Sequence, residues 1–79
     1  MPRFYFQLTV DGVVAADENG LEFEEHDEVE LEAVIALAEM MATRAVENAS
    51  GHEISLEISD EKKQPFARVR LSLTRERFS

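Results

Sequence analysis

The sequence predicts an α+β domain of ββαββ order, with an antiparallel sheet of three to four strands and one helix packed across one face. Three observations carry this. Residues 4–10, 53–59 and 66–74 each alternate apolar and polar side chains, the period of a strand that buries one face. Residues 27–49 carry apolar side chains at helical spacing. Asp11-Gly12 stands between two apolar runs, where a two-residue hairpin needs positive φ at both positions.

In the first strand Phe4, Phe6, Leu8 and Val10 alternate with Tyr5, Gln7 and Thr9, so the aromatic-rich set points inward. After the Asp11-Gly12 turn, residues 13–16 can return as a second strand. Asp17-Glu18-Asn19-Gly20 reads as a further turn, and Leu21-Glu22-Phe23 as a short extended anchor for an acidic loop. The third long strand is Glu53-Ile54-Ser55-Leu56-Glu57-Ile58-Ser59, the strictest alternation in the chain. Residues 60–65 form a polar loop. Residues 66–74 alternate again, with Ala67, Val69, Leu71 and Leu73 inward, and residues 75–79 are expected to fray. The far sheet face would then be polar, and Glu57 opposite Arg68 or Arg70 would contribute about 0.2–1 kcal/mol.

The helix opens with Asp27 as N-cap and Glu30 three residues on, a capping-box spacing. Ser50-Gly51 supplies the stop. Leu31, Val34, Ile35, Ala38, Met41, Ala42, Ala45, Val46 and Ala49 fall in one broad arc, wide enough to cover the sheet. A second, narrower lane carries Val29, Ala33, Ala36, Leu37 and Met40. The expectation is that the broad arc faces the sheet and the narrow lane faces outward. A small soluble domain gains by covering such a lane, and the sequence therefore predicts a homodimer through Val29, Ala33, Ala36, Leu37 and Met40, its helices paired about a two-fold axis.

A chain of 79 residues is expected to form one domain and to bury roughly 60–65 % of its unfolded surface, a thin core. It has no cysteine, so disulfides and thiolate metal sites are excluded. The net charge is −9, which disfavours nucleic acid and anionic lipid as partners. The charge is also uneven. Residues 17–32 hold nine carboxylates and no Lys or Arg, whereas residues 62–77 hold six of the eight basic side chains. Asp17, Glu18, Glu22, Glu24, Glu25 and Glu28 make an acidic patch that could dock a basic protein partner, as a decoy for a nucleic-acid-binding surface. No run approaches the roughly 18 apolar residues of a membrane span, and the opening lacks a secretory signal, so a cytoplasmic setting is the expectation.

The opening MPRFYFQL, the turn DENGLEF, the helix LEAVIALAEMMA and the closing hairpin EISLEISDEKKQPFARVRL together resemble a family of short bacterial domains, frequent in rhizobia and their relatives, whose function is unknown. The resemblance spans nearly the whole chain and implies the ββαββ arrangement, a bacterial cytoplasmic setting and no catalysis. Two departures stand out. Family members commonly carry His after the aromatics, where this chain has Gln7. They often carry a Pro-Asp pair before the helix, where this chain has Glu24-Glu25-His26-Asp27.

The residues offer little to catalysis. An EF-hand register that places Gly20 at loop position 6 leaves Ala15 at position 1 and His26 at position 12, so it fails. His26 and His52 flank opposite helix ends, about 35–40 Å apart, too far for one metal. Ser50-Gly51-His52 reads as a helix stop followed by a polar strand start. No Ser sits beside a base, no Gly-rich phosphate loop occurs, and the paired carboxylates sit in solvated runs. Tyr5 is the only aromatic expected on the open sheet face, too few for base stacking. The expectation is therefore a non-enzymatic domain with no cofactor, metal, small-molecule substrate, membrane or direct nucleic-acid partner.

Overall fold

The structure, a computed structural model, describes residues 1–47 and 52–78. Its elements are β1 (Arg3–Val10), β2 (Val13–Ala16), β3 (Leu21–Glu22), α1 (His26–Glu47), β4 (His52–Ser59) and β5 (Pro65–Leu73). The strands form one antiparallel sheet in the order β2-β1-β4-β5, with the short β3 beside β1. The ββαββ reading holds, and the Leu21-Glu22 anchor proves to be a fifth strand. The helix stop at Ser50-Gly51, and Ala49 before it, lie outside the described residues.

Turn chemistry fixes the register. Asp11 and Gly12 both have positive φ, 49° and 86°, so β1 and β2 close through a two-residue turn of the expected type, with Val10 opposite Val13. The second turn is built by Asp17, whose carboxylate accepts from the backbone N–H of Asn19 and of Gly20. Gly20 is obligatory there. Its φ is 73°, and a Cβ would lie 2.7 Å from the Phe4 carbonyl oxygen. In the β4–β5 loop, Asp60 Oδ1 accepts from the N–H of Lys62 and of Gln64, which lets Lys63 adopt a φ of 63°.

The helix begins two residues earlier than its capping signal suggests. Val29 N–H bonds to the Glu25 carbonyl, which makes Glu25 the capping position and puts Asp27 inside the first turn. A tertiary contact overrides the capping box. The His26 ring stacks on Phe66, with centroids 4.4 Å apart, and meets Phe4 edge-on, so the first turn is held from its outset.

Which helix face meets the sheet is the main correction. Val29, Ala33, Leu37 and Met41 are buried and Met40 packs against the same cores, whereas Leu31, Val34, Ile35 and Val46 are exposed. The core seam is the narrow lane without Ala36, which is exposed, and with Met41 of the broad arc added; Leu31, Val34, Ile35, Ala38, Ala42 and Val46 of that arc face out. Side-chain volume supplies a reason: the small Ala33 lets the helix come close over Phe4 and Ile58, and Val29 and Leu37 then fill the space to either side. The exposed Glu28, Glu32 and Glu39 lie on one flank of the helix, between the two apolar faces.

The core is two adjoining clusters. Phe4, Val29, Ala33 and Ile58 form one, flanked by Phe6, Phe23 and Leu56; Leu37, Met41 and Ile54 form the other, flanked by Leu8, Val69 and Leu71. The helix lies over β4 and β5. On β1 it covers Phe4 fully and leaves Phe6, Leu8 and Val10 half covered, and the apolar side chains of β2 are exposed. Arg44 ties the last turn of α1 to the hairpin by pairing with the Asp11 carboxylate.

Candidate functional site

The outward face of α1 is an apolar surface that the fold leaves uncovered. Leu31 is 60 % exposed, Val34 47 %, Ile35 42 % and Val46 89 %, and Ala38 and Ala42 are exposed between them. Leu31, Ile35, Ala38 and Ala42 are spaced four, three and four residues apart. Such a spacing keeps all four side chains on one side of the helix. Single exposed apolar side chains are ordinary on a protein surface; a continuous stripe along three turns is not.

Of the residues expected to mediate self-association, Val29, Ala33 and Leu37 are buried in the monomer and Met40 is half-buried against its core. They are unavailable to a partner. Ala36 is exposed and borders a cleft. The sequence carried two apolar helix faces, and the structure buries most of the one expected to stay exposed. Leu31, Val34, Ile35, Ala38 and Ala42 occupy the face first assigned to the core.

The acidic patch divides by role. Asp17 holds its own turn, and Glu22 pairs with Arg3 at 3.1 Å. Glu18, Glu24, Glu25 and Glu28 are exposed and have no ion-pair partner among the described residues. On the far sheet face Glu57 pairs with Arg68 at 2.5 Å, the cross-strand pair expected from alternation, and Glu53 lies 3.8 Å from Arg70.

Clefts open on the surface among the described residues, and three of them bear on the site. One of about 190 Å³ lies between α1 and the β1–β3 side of the sheet; its walls are Phe6, Leu21, Phe23, Ala36 and Leu56, with Glu32 as its single charged group. Another, of about 290 Å³, lies on the far face around Tyr5, Gln7, Glu57 and Ser59, where Lys63 Nζ sits 4.9 Å over the Tyr5 ring. The third, of about 200 Å³, lies beside Phe4, His26 and Lys62. Among the described residues no group of three or more His, Asp or Glu is placed to hold a metal ion. No described helix is long and apolar enough to cross a membrane.

One feature escaped sequence reasoning. The β4–β5 register slips between Ile58 and Ser59, so that Ile58 faces Ala67 while Ser59 faces Pro65. Phe66 is the extra residue of this bulge and turns to meet Phe4 at 5.8 Å and the His26 ring. Strict alternation would have sent it to the far face. The Pro65 beside it was the available signal, since proline cannot donate to a strand ladder.

These surfaces and this fold define a small α+β domain that presents an exposed apolar helix face beside carboxylates without an ion pair among the described residues. The chain belongs to the family described as Domain of unknown function (DUF6894), whose profile matches residues 3–72, from the start of β1 into the end of β5. No curated protein and no solved structure matches it.

Proposed function

We propose that this protein is a non-enzymatic interaction module of the bacterial cytoplasm that self-associates through the outer face of α1. The observation that supports this is the exposed stripe Leu31, Ile35, Ala38 and Ala42, bordered by Val34. Two copies meeting about a two-fold axis cover it with the same surface twice, the simplest closed arrangement. The small Ala38 and Ala42 permit close approach of the two helices.

The magnitude favours a modest, concentration-dependent pair. A fully buried Leu, Ile or Val contributes about 2 kcal/mol. The uncovered parts of Leu31, Val34, Ile35 and Val46 on two copies then amount to about 10 kcal/mol of burial, against about 4–15 kcal/mol of lost freedom. With the cost near the low end of its range the net is about −6 kcal/mol, a Kd on the order of 0.1 mM, so the pair forms and parts with protein concentration. Sedimentation velocity from about 10 µM to about 1 mM, either side of that value, is the test. Dimer should appear at the upper end and vanish in Ile35→Glu. A monomer throughout, or a dimer indifferent to Ile35→Glu, contradicts the proposal.

A second reading is favoured by Glu18, Glu24, Glu25 and Glu28, which stand exposed and unpaired. They suit a basic protein partner, whose nucleic-acid-binding surface they would occupy as a decoy. Binding of that kind weakens steeply with salt. Reversal of Glu24, Glu25 and Glu28 to Lys should abolish it, and unchanged binding after reversal removes the reading.

A further inference from the structure

The cleft between α1 and β3 and the segment that follows β5 are complementary to one another. The cleft is an apolar box with a lone carboxylate at its rim, Glu32, which has no ion-pair partner among the described residues. Leu21, one of its walls, is more than half exposed. After Leu73 the chain leaves the sheet, and residues 74–78 are exposed and without regular structure. That tail reads Thr74-Arg75-Glu76-Arg77-Phe78 and ends its described part on an aromatic ring that is 91 % exposed. It thus carries an apolar side chain of the size the cleft lacks, beside a guanidinium long enough to reach the rim carboxylate. The pairing also joins the chain's basic third to its acidic third.

Within one molecule the tail cannot make this contact. Arg75 Nη1 donates to the Ala45 carbonyl at 3.5 Å, so the tail starts at the C-terminal end of α1. Glu32 lies thirteen residues earlier, about 20 Å along the helix. The cleft is also on the far flank of α1, toward β1 and β3, whereas the tail leaves from β5. The three residues from Arg75 to Phe78 span at most about 10 Å. That is too short to run the length of the helix and also cross it.

We infer that the cleft receives the Arg77-Phe78 tail of a second copy, with the Phe78 ring among Phe6, Leu21, Phe23 and Leu56 and the Arg77 guanidinium on Glu32. The inference rests on the self-association proposed above and adds to it a contact distinct from the helix stripe. Phe78 and Arg77 are exposed, so their substitution leaves the fold unchanged.

Because the chain has no native cysteine, a nitroxide can be placed at Ser79→Cys alone. Labelled full-length chain is mixed with ¹⁵N-labelled, spin-free chain at 1 mM, and intermolecular relaxation enhancement is read at each amide. Broadening is expected at Leu21, Phe23, Ala36 and Leu56. It should fall at least fivefold when the labelled chain carries Phe78→Ala or the ¹⁵N chain carries Glu32→Lys. It should recover when Glu32→Lys is met by Arg77→Glu. The same broadening in an Ile35→Glu background separates the two contacts: if it persists while the sedimenting dimer is lost, the tail docks without the helix pair. Broadening confined to Leu31, Ile35 and Ala38 would overturn the inference and leave the helix pairing intact. No intermolecular broadening at 1 mM would overturn it too.

Discussion

Truncating Leu37 and Leu31 in turn gives opposite results under the two possible helix orientations. Leu37 is 1 % exposed and sits with Met41 and Ile54, whereas Leu31 is 60 % exposed. Leu37→Ala removes a fully buried side chain and leaves a cavity, at about 2–5 kcal/mol. For a domain of this length, whose whole stability is on the order of 4–12 kcal/mol, that is a large fraction. Leu31→Ala removes a side chain already largely in water. Its cost is below about 1 kcal/mol, partly offset by the better helix propensity of Ala, a few tenths. Urea unfolding followed by circular dichroism at 5 µM keeps the chain below any dimer threshold. With a slope near 1 kcal/mol per molar urea, Leu37→Ala should lower the midpoint by about 2–5 M and Leu31→Ala by under about 1 M. Equal shifts, or a larger shift for Leu31→Ala, would refute the orientation and everything built on the outer stripe.

Other substitutions test single elements. Gly20→Ala forces a Cβ against the Phe4 carbonyl at a positive φ; it should cost about 1–3 kcal/mol, and an unaffected melting temperature would contradict the turn geometry. Phe66→Ala removes the ring that meets Phe4 and His26. About 2 kcal/mol should be lost, together with the ring-current shifts on the His26 protons, whereas a surface Phe would give neither. A double-mutant cycle on Glu57 and Arg68, an exposed cross-strand pair, should return a coupling of about 0.2–1 kcal/mol that shrinks in 0.5 M salt. A coupling near zero at low salt would mean that the pair does not form.

Much of the architecture was legible because strands and turns write themselves locally. Period-two alternation marked β1, β4 and β5, and Asp11-Gly12 marked the hairpin, since positive φ at two consecutive positions admits few residues. The helix was legible as a helix. Its orientation was not, because the chain carries two apolar faces and the broader of them is not the better fit to the sheet. Volume decides: Ala33 reads as a weak core residue in sequence, yet over Phe4 it is the right size. The start of α1 shifted because the His26–Phe66 stack, a contact between residues forty apart, outweighs a local capping signal. The candidate surface shared this fate. The sequence showed that one apolar face would remain uncovered, but a helical wheel holds no sheet to say which.

The most direct test of self-association through the outer face of α1 exploits the absence of native cysteine. Ala38 sits in the middle of the stripe, so in a two-fold pair each copy's residue 38 approaches its counterpart. A chain carrying Ala38→Cys, oxidised at 200 µM, should become covalent dimer much faster than one carrying Glu61→Cys in the β4–β5 loop, and the added Ile35→Glu should slow it to the control rate. Equal rates for the two cysteines would contradict the account.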